Sequence, residues 1–491
     1  MTDIVNNDTL EYLDDLCKGC ESKLIECGYS KLMIAIKNGM LKTIKKLMTT
    51  KNLIAFSDDN KNALTIACEF NMEDIAEQIF DTLGHRYLLL EKDNDNNDAL
   101  TFICKHKMKK MFDHVRNTRI KSTYYRSCDD NKLNIIEYVN VEKINKDNET
   151  LFIIICKNKL NAFGLDLLKD NFDYNLNHQD NEGKTALMHA IENGLLNLAI
   201  KIAKKMKNIN QVSDNGNTAI LLSAMKNYTK VSLELIKNKK IDLTICEKEY
   251  GCTPLIFATM EDNKEVVAEM IKKECNISHT DSKGEDALSS AVLNCNETIS
   301  LMIAKKWDID FNHLYAVGKN QITIMTRVLS LGLTKLCSYI IESGKYNLGY
   351  IDFMNKTLLI NLAEKKYEWQ IELLLKSKED IKCGHEDNSK TTALMYCAFK
   401  DMSRISGLII KRNDCNPSCL NIDRLDCIGH LLVHGHEDIV YDLFLRHTKE
   451  MKDWFNEVYY VAEQRKMKKL EKFLRKKITM KFIPAEKVEN V

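Results

Sequence analysis

Near the C-terminal end, Cys415, Cys419, Cys427, His430, His434 and His436 fall within 22 residues. A Cys-x3-Cys pair followed by Cys-x2-His-x3-His has the thiolate and imidazole ligands that zinc takes in tetrahedral sites. Such a site needs four of them converging at about 2.0–2.3 Å, which a loop between repeats need not supply, so no metal is expected. Gly183-Lys184-Thr185 is a second candidate, because this triplet can end a phosphate-binding loop where it opens a helix. That loop needs a glycine five residues earlier, so that backbone N–H groups ring the phosphates, and His178 stands there instead. The basic run from Arg465 to Lys477 reads as the solvated outer face of a capping helix, with nuclear import or contact with nucleic acid as the alternative. No Ser/His/Asp or Cys/His arrangement recurs in a register that would bring it together. Paired carboxylates fall in turns, where acidic residues are expected. The reading is therefore of a non-enzymatic chain with no catalytic residues and no cofactor.

Whether such groups can meet depends on the elements that carry them, and those elements repeat. Thirteen residues of N-cap type precede an apolar residue by two positions: Ser30, Asn62, Asp98, Thr150, Thr185, Thr218, Thr253, Asp286, Thr323, Thr357, Thr392, Asp426 and Asn456. The apolar anchors are Leu32, Leu64, Leu100, Phe152, Leu187, Ile220, Leu255, Leu288, Met325, Leu359, Leu394, Ile428 and Val458. The spacing is near 34 residues, apart from one long step between Leu100 and Phe152. A side-chain oxygen at each cap can accept from a free N–H of the first helical turn, worth about 1 kcal/mol. Two residues before the cap stands Gly28, Asn60, Asn96, Asn148, Gly183, Gly216, Gly251, Gly284 or Asn355, the types that best tolerate positive φ. A second amphipathic run follows each first helix after a short break, as at Val266–Ile271. Each copy is thus a turn, a helix, a tight loop and a helix, stacked on its neighbours.

Residues 253–258 read Thr-Pro-Leu-Ile-Phe-Ala and residues 185–190 read Thr-Ala-Leu-Met-His-Ala. These resemble the ankyrin repeat, whose signature is Thr-Pro-Leu-His-x-Ala in a unit of about 33 residues. The resemblance covers about residues 28 to 475. Proline at the first helical position survives only at Pro254, the signature histidine is missing from its usual register, and the copies at 323, 426 and 456 are degenerate. The fold it implies is an all-α repeat solenoid of about 13 ankyrin-type units in one elongated, curved array. Richness in Asn, Lys and Ile, with a long degenerate array, resembles the large ankyrin families of giant DNA viruses. Amoebal and intracellular-bacterial chains look similar.

Charge and composition narrow the reading. With 71 basic and 70 acidic residues, the formal charge is +1, which is not that of a general polyanion binder. No apolar run is long enough to span a membrane, and Met1-Thr2-Asp3-Ile4 opens no secretory signal. A reducing cytoplasm is expected, a host cell's if the chain is viral, with the nucleus as the alternative. Of the 17 cysteines, Cys68, Cys104 and Cys156 share one slot, which Ala224, Ala363 and Ala398 fill elsewhere. They are read as small core residues rather than disulfide partners.

The domain reading places an N-terminal helical cap at 1–27, the array at 28–475 and a tail at 476–491. An insertion or degenerate unit is placed at about 119–146. The resemblance implies a scaffold that grips a protein partner, a host protein if the chain is viral or bacterial, on a concave surface of turn tips and first-helix faces. The implied contact residues are Asp58, Asp59, Asp93, Asn181, Lys184, Asn215, Asn217, Glu249, Tyr250, Ser282 and Lys283. Two alternatives stay open: a substrate adaptor for ubiquitin ligation, and nucleic-acid contact through the basic C-terminal helix. A monomer without membrane contact is expected.

Overall fold

The computed structural model describes residues 10, 12–14, 27–83, 89, 91–117, 119–120, 133–134, 144–169, 174–273, 275–306, 309–317, 320–417, 421, 426–449 and 451–481. The backbone divides into two compact units, Met1–Asn276 and Ile277–Val491. Among the described residues the first unit holds seven helix pairs, starting at Lys31, Ala63, Ala99, Leu151, Ala186, Ala219 and Pro254. The second holds six, starting at Ala287, Ile324, Leu358, Ala393, Cys427 and Phe455.

The local chemistry explains where each first helix begins. Twelve of the thirteen expected caps lie in extended backbone, with the side chain accepting from the third helical N–H. Asn62 accepts from Thr65 N at 2.8 Å and Asp98 from Thr101 N at 2.8 Å. All nine Gly or Asn residues expected in the turn before the cap have positive φ. A second left-handed residue ends each of these first helices, nine positions past the cap, as at Gly39, Asn71, Gly194 and Gly332. There Leu195 N donates to Ala190 O at 2.8 Å, a Schellman closure that turns the chain into its second helix.

First helices pack on first helices and second helices on second helices within each unit. The anchors fill the seam. Leu32, Leu64, Leu100, Phe152, Leu187, Ile220 and Leu255 are buried in the first unit, and Leu288, Met325, Leu359, Leu394, Ile428 and Val458 in the second. Each such side chain contributes about 1.5–3 kcal/mol through removal from water. Cys68, Cys104 and Cys156 are fully buried in their shared slot, and burial pushes their thiols up.

The structure departs from the sequence reading in several places. The helical array carries two short hairpins. Leu314–Val317 pairs antiparallel with Asn320–Thr323, and Arg119–Ile120 pairs with Leu133–Asn134. The first hairpin replaces the left-handed turn where the copy at Thr323 lacks Gly or Asn. Asn456 is not a cap: its helix, Phe455–Gln464, starts earlier, from a 3-10 turn at Lys452–Trp454. The left-handed Lys466 lies nine residues past Glu457, so the repeat register there falls one residue later than the spacing suggested. The last helix runs from Lys468 to Lys481, across residue 475. Most of the expected cap at 1–27 and of the 119–146 insertion lies outside the described residues.

Candidate functional site: turn tips and first-helix ends

In several of the turns before the first helices one acid, buried at Asp180 and Asp387 and half-buried at Asp352, is the internal acceptor. Asp180 Oδ1 accepts from Glu182 N at 3.0 Å and Lys184 N at 2.9 Å, and its Oδ2 meets His189 Nε2 at 2.7 Å. Asp352 repeats this with Met354 N, Lys356 N and Asn361 Nδ2, all at 2.9 Å. Asp387 repeats it with Ser389 N at 2.8 Å, Thr391 N at 3.0 Å and the Tyr396 hydroxyl at 2.9 Å. In each case the acid lies five residues before the cap and its side-chain partner four residues after it. Burial alone would raise the Asp180 carboxyl, but hydrogen bonds from His189, Lys184 N and Glu182 N outweigh it and hold the group below its ordinary value.

A flanking ion pair braces several turns. The residue before the cap meets the seventh residue after it: Lys61–Glu69 at 2.7 Å, Lys184–Glu192 at 3.1 Å, Lys356–Glu364 at 2.7 Å and, reversed, Glu149–Lys157 at 2.6 Å. The copy at Asp286 has Leu293 in that position, and Glu285 instead takes both guanidinium nitrogens of the buried Arg327. Arg327 also lies over the Tyr315 ring at 4.8 Å, and the Tyr315 hydroxyl donates to Asp286 Oδ2 at 2.7 Å. This network ties the 314–323 hairpin down.

Successive turns are joined by backbone hydrogen bonds within the first unit. Asp58 N donates to Cys27 O and Asn94 N to Asp59 O, both at 2.9 Å, and Asp214 N donates to Glu182 O at 3.0 Å. Asn148 Nδ2 reaches Gln179 O at 3.0 Å, and in the second unit Asn355 Nδ2 reaches Glu386 O at 3.0 Å. Asparagine in the left-handed position therefore adds a bond to the following turn.

These frames leave some expected contact residues outward and withdraw others. Asp58, Asp59, Asn181, Asn215, Glu249, Tyr250, Ser282 and Lys283 are exposed. Asp93 is not: it is 5% exposed, because its carboxylate is the internal acceptor of its own turn. Lys184 is half-buried and ion-paired to Glu182 and Glu192, and Asn217 is half-buried. The sequence reading missed a second set of outward groups. Phe70 and Met260 in the first unit, and Leu293, Leu331 and Val433 in the second, are exposed apolar residues seven or eight positions past a cap. Their signal was an apolar residue beyond the core positions, at the outer end of each first helix.

The other candidates resolve into repeat parts. Gly183 has φ 69°, Lys184 is held by two glutamates and Thr185 caps its helix. Among the Cys/His candidates, Cys419 lies outside the described residues. Cys427 is buried, with its thiol 3.6 Å from Pro417 O. His430 packs on Phe399 at 4.3 Å between ring centroids, and His434 ends its helix. The Cys415 thiol is pushed up by hydrogen bonding to Cys383, by burial and by nearby Cys427. Among the described residues no three His, Cys, Asp or Glu side chains converge where a metal ion could sit. No described helix is long and apolar enough to cross a membrane.

No curated protein matches the chain. The family model for ankyrin repeats (3 copies) matches residues 144–245, 192–281 and 224–314. The capped first helices, left-handed turns and paired second helices of residues 144–314 are thus ankyrin repeats, a module that generally serves protein–protein interaction.

Proposed function

We propose that the chain is a non-enzymatic scaffold built of about thirteen ankyrin-type units, which binds a protein partner through its turn tips and first-helix ends. The observation that carries this reading is the division of labour within the turns. In several copies an internal acid and a cap satisfy the backbone and an ion pair braces the turn, while neighbouring positions point outward and differ from copy to copy. A rigid frame with variable exposed groups lowers the ordering cost of binding. The apolar residues at the helix ends supply contact area, and the acidic tips, Asp58, Asp59 and Glu249 among them, supply specificity and on-rate. A host protein is the proposed partner, met in the cytoplasm by a monomer.

The test is affinity purification of the full-length chain from its native cell with mass spectrometry, beside a variant carrying Asp58→Lys, Asp59→Lys, Glu249→Lys and Met260→Ser. A partner recovered by the parent and lost by the variant, with helix content unchanged, supports the scaffold. Loss of every partner on deleting 465–481 alone sinks it. Recovery of ubiquitin-ligase subunits is required for the adaptor alternative, which fails without them.

A further inference from the structure

We infer that the last helix pair carries a second, independent binding surface for the phosphate backbone of nucleic acid. The first observation is charge segregation. Residues 465–477 hold eight Lys or Arg against the single Glu471, a net +7, while the whole chain carries +1. Everything outside those thirteen residues therefore sums to −6. The excess sits on one short segment rather than being spread over the surface.

The second observation is what the apolar side of that helix does. Leu470 and Leu474 are fully buried and Met467 nearly so, packed against the helices Glu437–Arg446 and Phe455–Gln464. Phe473 meets Tyr441 edge to face at 5.2 Å. A helix that binds an anionic membrane must offer an apolar face to the acyl boundary. Here Met467, Leu470 and Leu474 are consumed inside the protein, and the exposed residues of 465–477 are all Lys or Arg.

The third is the layout of that face. Arg465, Lys466, Lys468, Lys469, Lys472, Arg475 and Lys476 are exposed. Arg465 reaches Val433 O at 2.8 Å and Lys469 is paired to Asp438 at 2.6 Å, whereas Lys466, Lys468 and Lys472 make no ion pair among the described residues. Lys468, Lys472 and Lys476 follow at four-residue steps, about 6 Å apart along the axis. Duplex DNA carries one charge per 3.4 Å of axis on each strand, so each step spans about two phosphates. Nothing in this row reads base edges. The surface binds nucleic acid without sequence preference, separately from the turn tips.

The test uses the full-length chain and fluorescence anisotropy with two 20-bp duplexes of unrelated sequence. Equal affinity for both is expected. The logarithm of the binding constant should fall linearly with log salt, with a slope of about −4 to −5 if five phosphates are contacted. The double variant Lys468→Gln, Lys472→Gln should flatten that slope by roughly 2. Neither side chain packs in the core, so folding is expected to survive, and circular dichroism checks it. Absence of duplex binding at 50 mM salt overturns the inference. So does an unchanged slope in the folded variant, or tighter binding to phosphatidylserine vesicles or to poly-glutamate than to the duplexes. Reversing the tip charges should leave duplex binding intact, so failure of this surface and failure of the scaffold reading are distinguishable.

Discussion

Asp93 offers a direct test of how the turns are held. It sits where Asp180, Asp352 and Asp387 sit, and its Oδ1 accepts from Asp95 N at 3.0 Å and Asn97 N at 2.8 Å. Its Oδ2 is buried with no donor among the described residues. The position four residues past the cap, held elsewhere by His189, Asn361 or Tyr396, here holds Phe102, which is itself buried. Phe102→Tyr adds one hydroxyl where the Tyr396 hydroxyl bonds Asp387 at 2.9 Å. A hydrogen bond to a charged acceptor is worth about 1.5–3 kcal/mol. Desolvating the new hydroxyl takes some of this back, so a net gain of about 1–2 kcal/mol is expected. Repeat arrays open locally, and global unfolding would blur the effect. The measurement is therefore native-state amide exchange along Ala99–Lys105. Opening should become about 5- to 30-fold rarer. In an Asp93→Ala background Phe102→Tyr should bring no gain, which isolates the pair. Unchanged or faster exchange in a folded Phe102→Tyr variant would refute the idea that these acids seek a donor from the first helix.

The converse substitution, His189→Phe, leaves Asp180 Oδ2 with no donor from the helix and should cost about 1–3 kcal/mol at neutral pH in urea unfolding. Because the folded Asp180 carboxyl lies below its ordinary 3.8, its contribution is present above that value and is lost as pH falls through the lowered one. The variant should therefore lose less stability than the parent between pH 5 and pH 3, and equal acid sensitivity in the two proteins would contradict this. A third comparison separates backbone strain from crowding. Gly183 (φ 69°) and Gly344 (φ 65°) are both left-handed, but a Cβ at 183 would lie 2.8 Å from Asp214 Oδ1 and 2.9 Å from Asp214 N, while a Cβ at 344 meets nothing within 4 Å. Gly344→Ala should cost about 1 kcal/mol and Gly183→Ala distinctly more, read as thermal-unfolding midpoints. Equal costs would mean the next turn yields freely.

The sequence by itself determined the helix starts and the core, because both follow from short-range rules. A cap oxygen three residues from its N–H, a glycine or asparagine in the left-handed turn, and an apolar anchor two residues on are readable in one linear pass. Twelve caps and all nine turn residues lie where that spacing put them. Asn456 failed because the preceding 3-10 turn at Lys452–Trp454, which no spacing rule marks, starts its helix early. The sequence did not show which polar turn residues face outward. Asp58 and Asp93 are both acids at tips, yet one is exposed and the other is an internal acceptor. Only the folded turn, one residue's shift in a tight hairpin, decides between them. The tertiary structure likewise decided that Arg327 reaches Glu285 from 42 residues away, and that Leu470 and Leu474 are consumed in packing while the lysines beside them stay outside. Those outcomes depend on which helix faces meet between neighbouring copies, and a spacing of residues along one chain carries no such information.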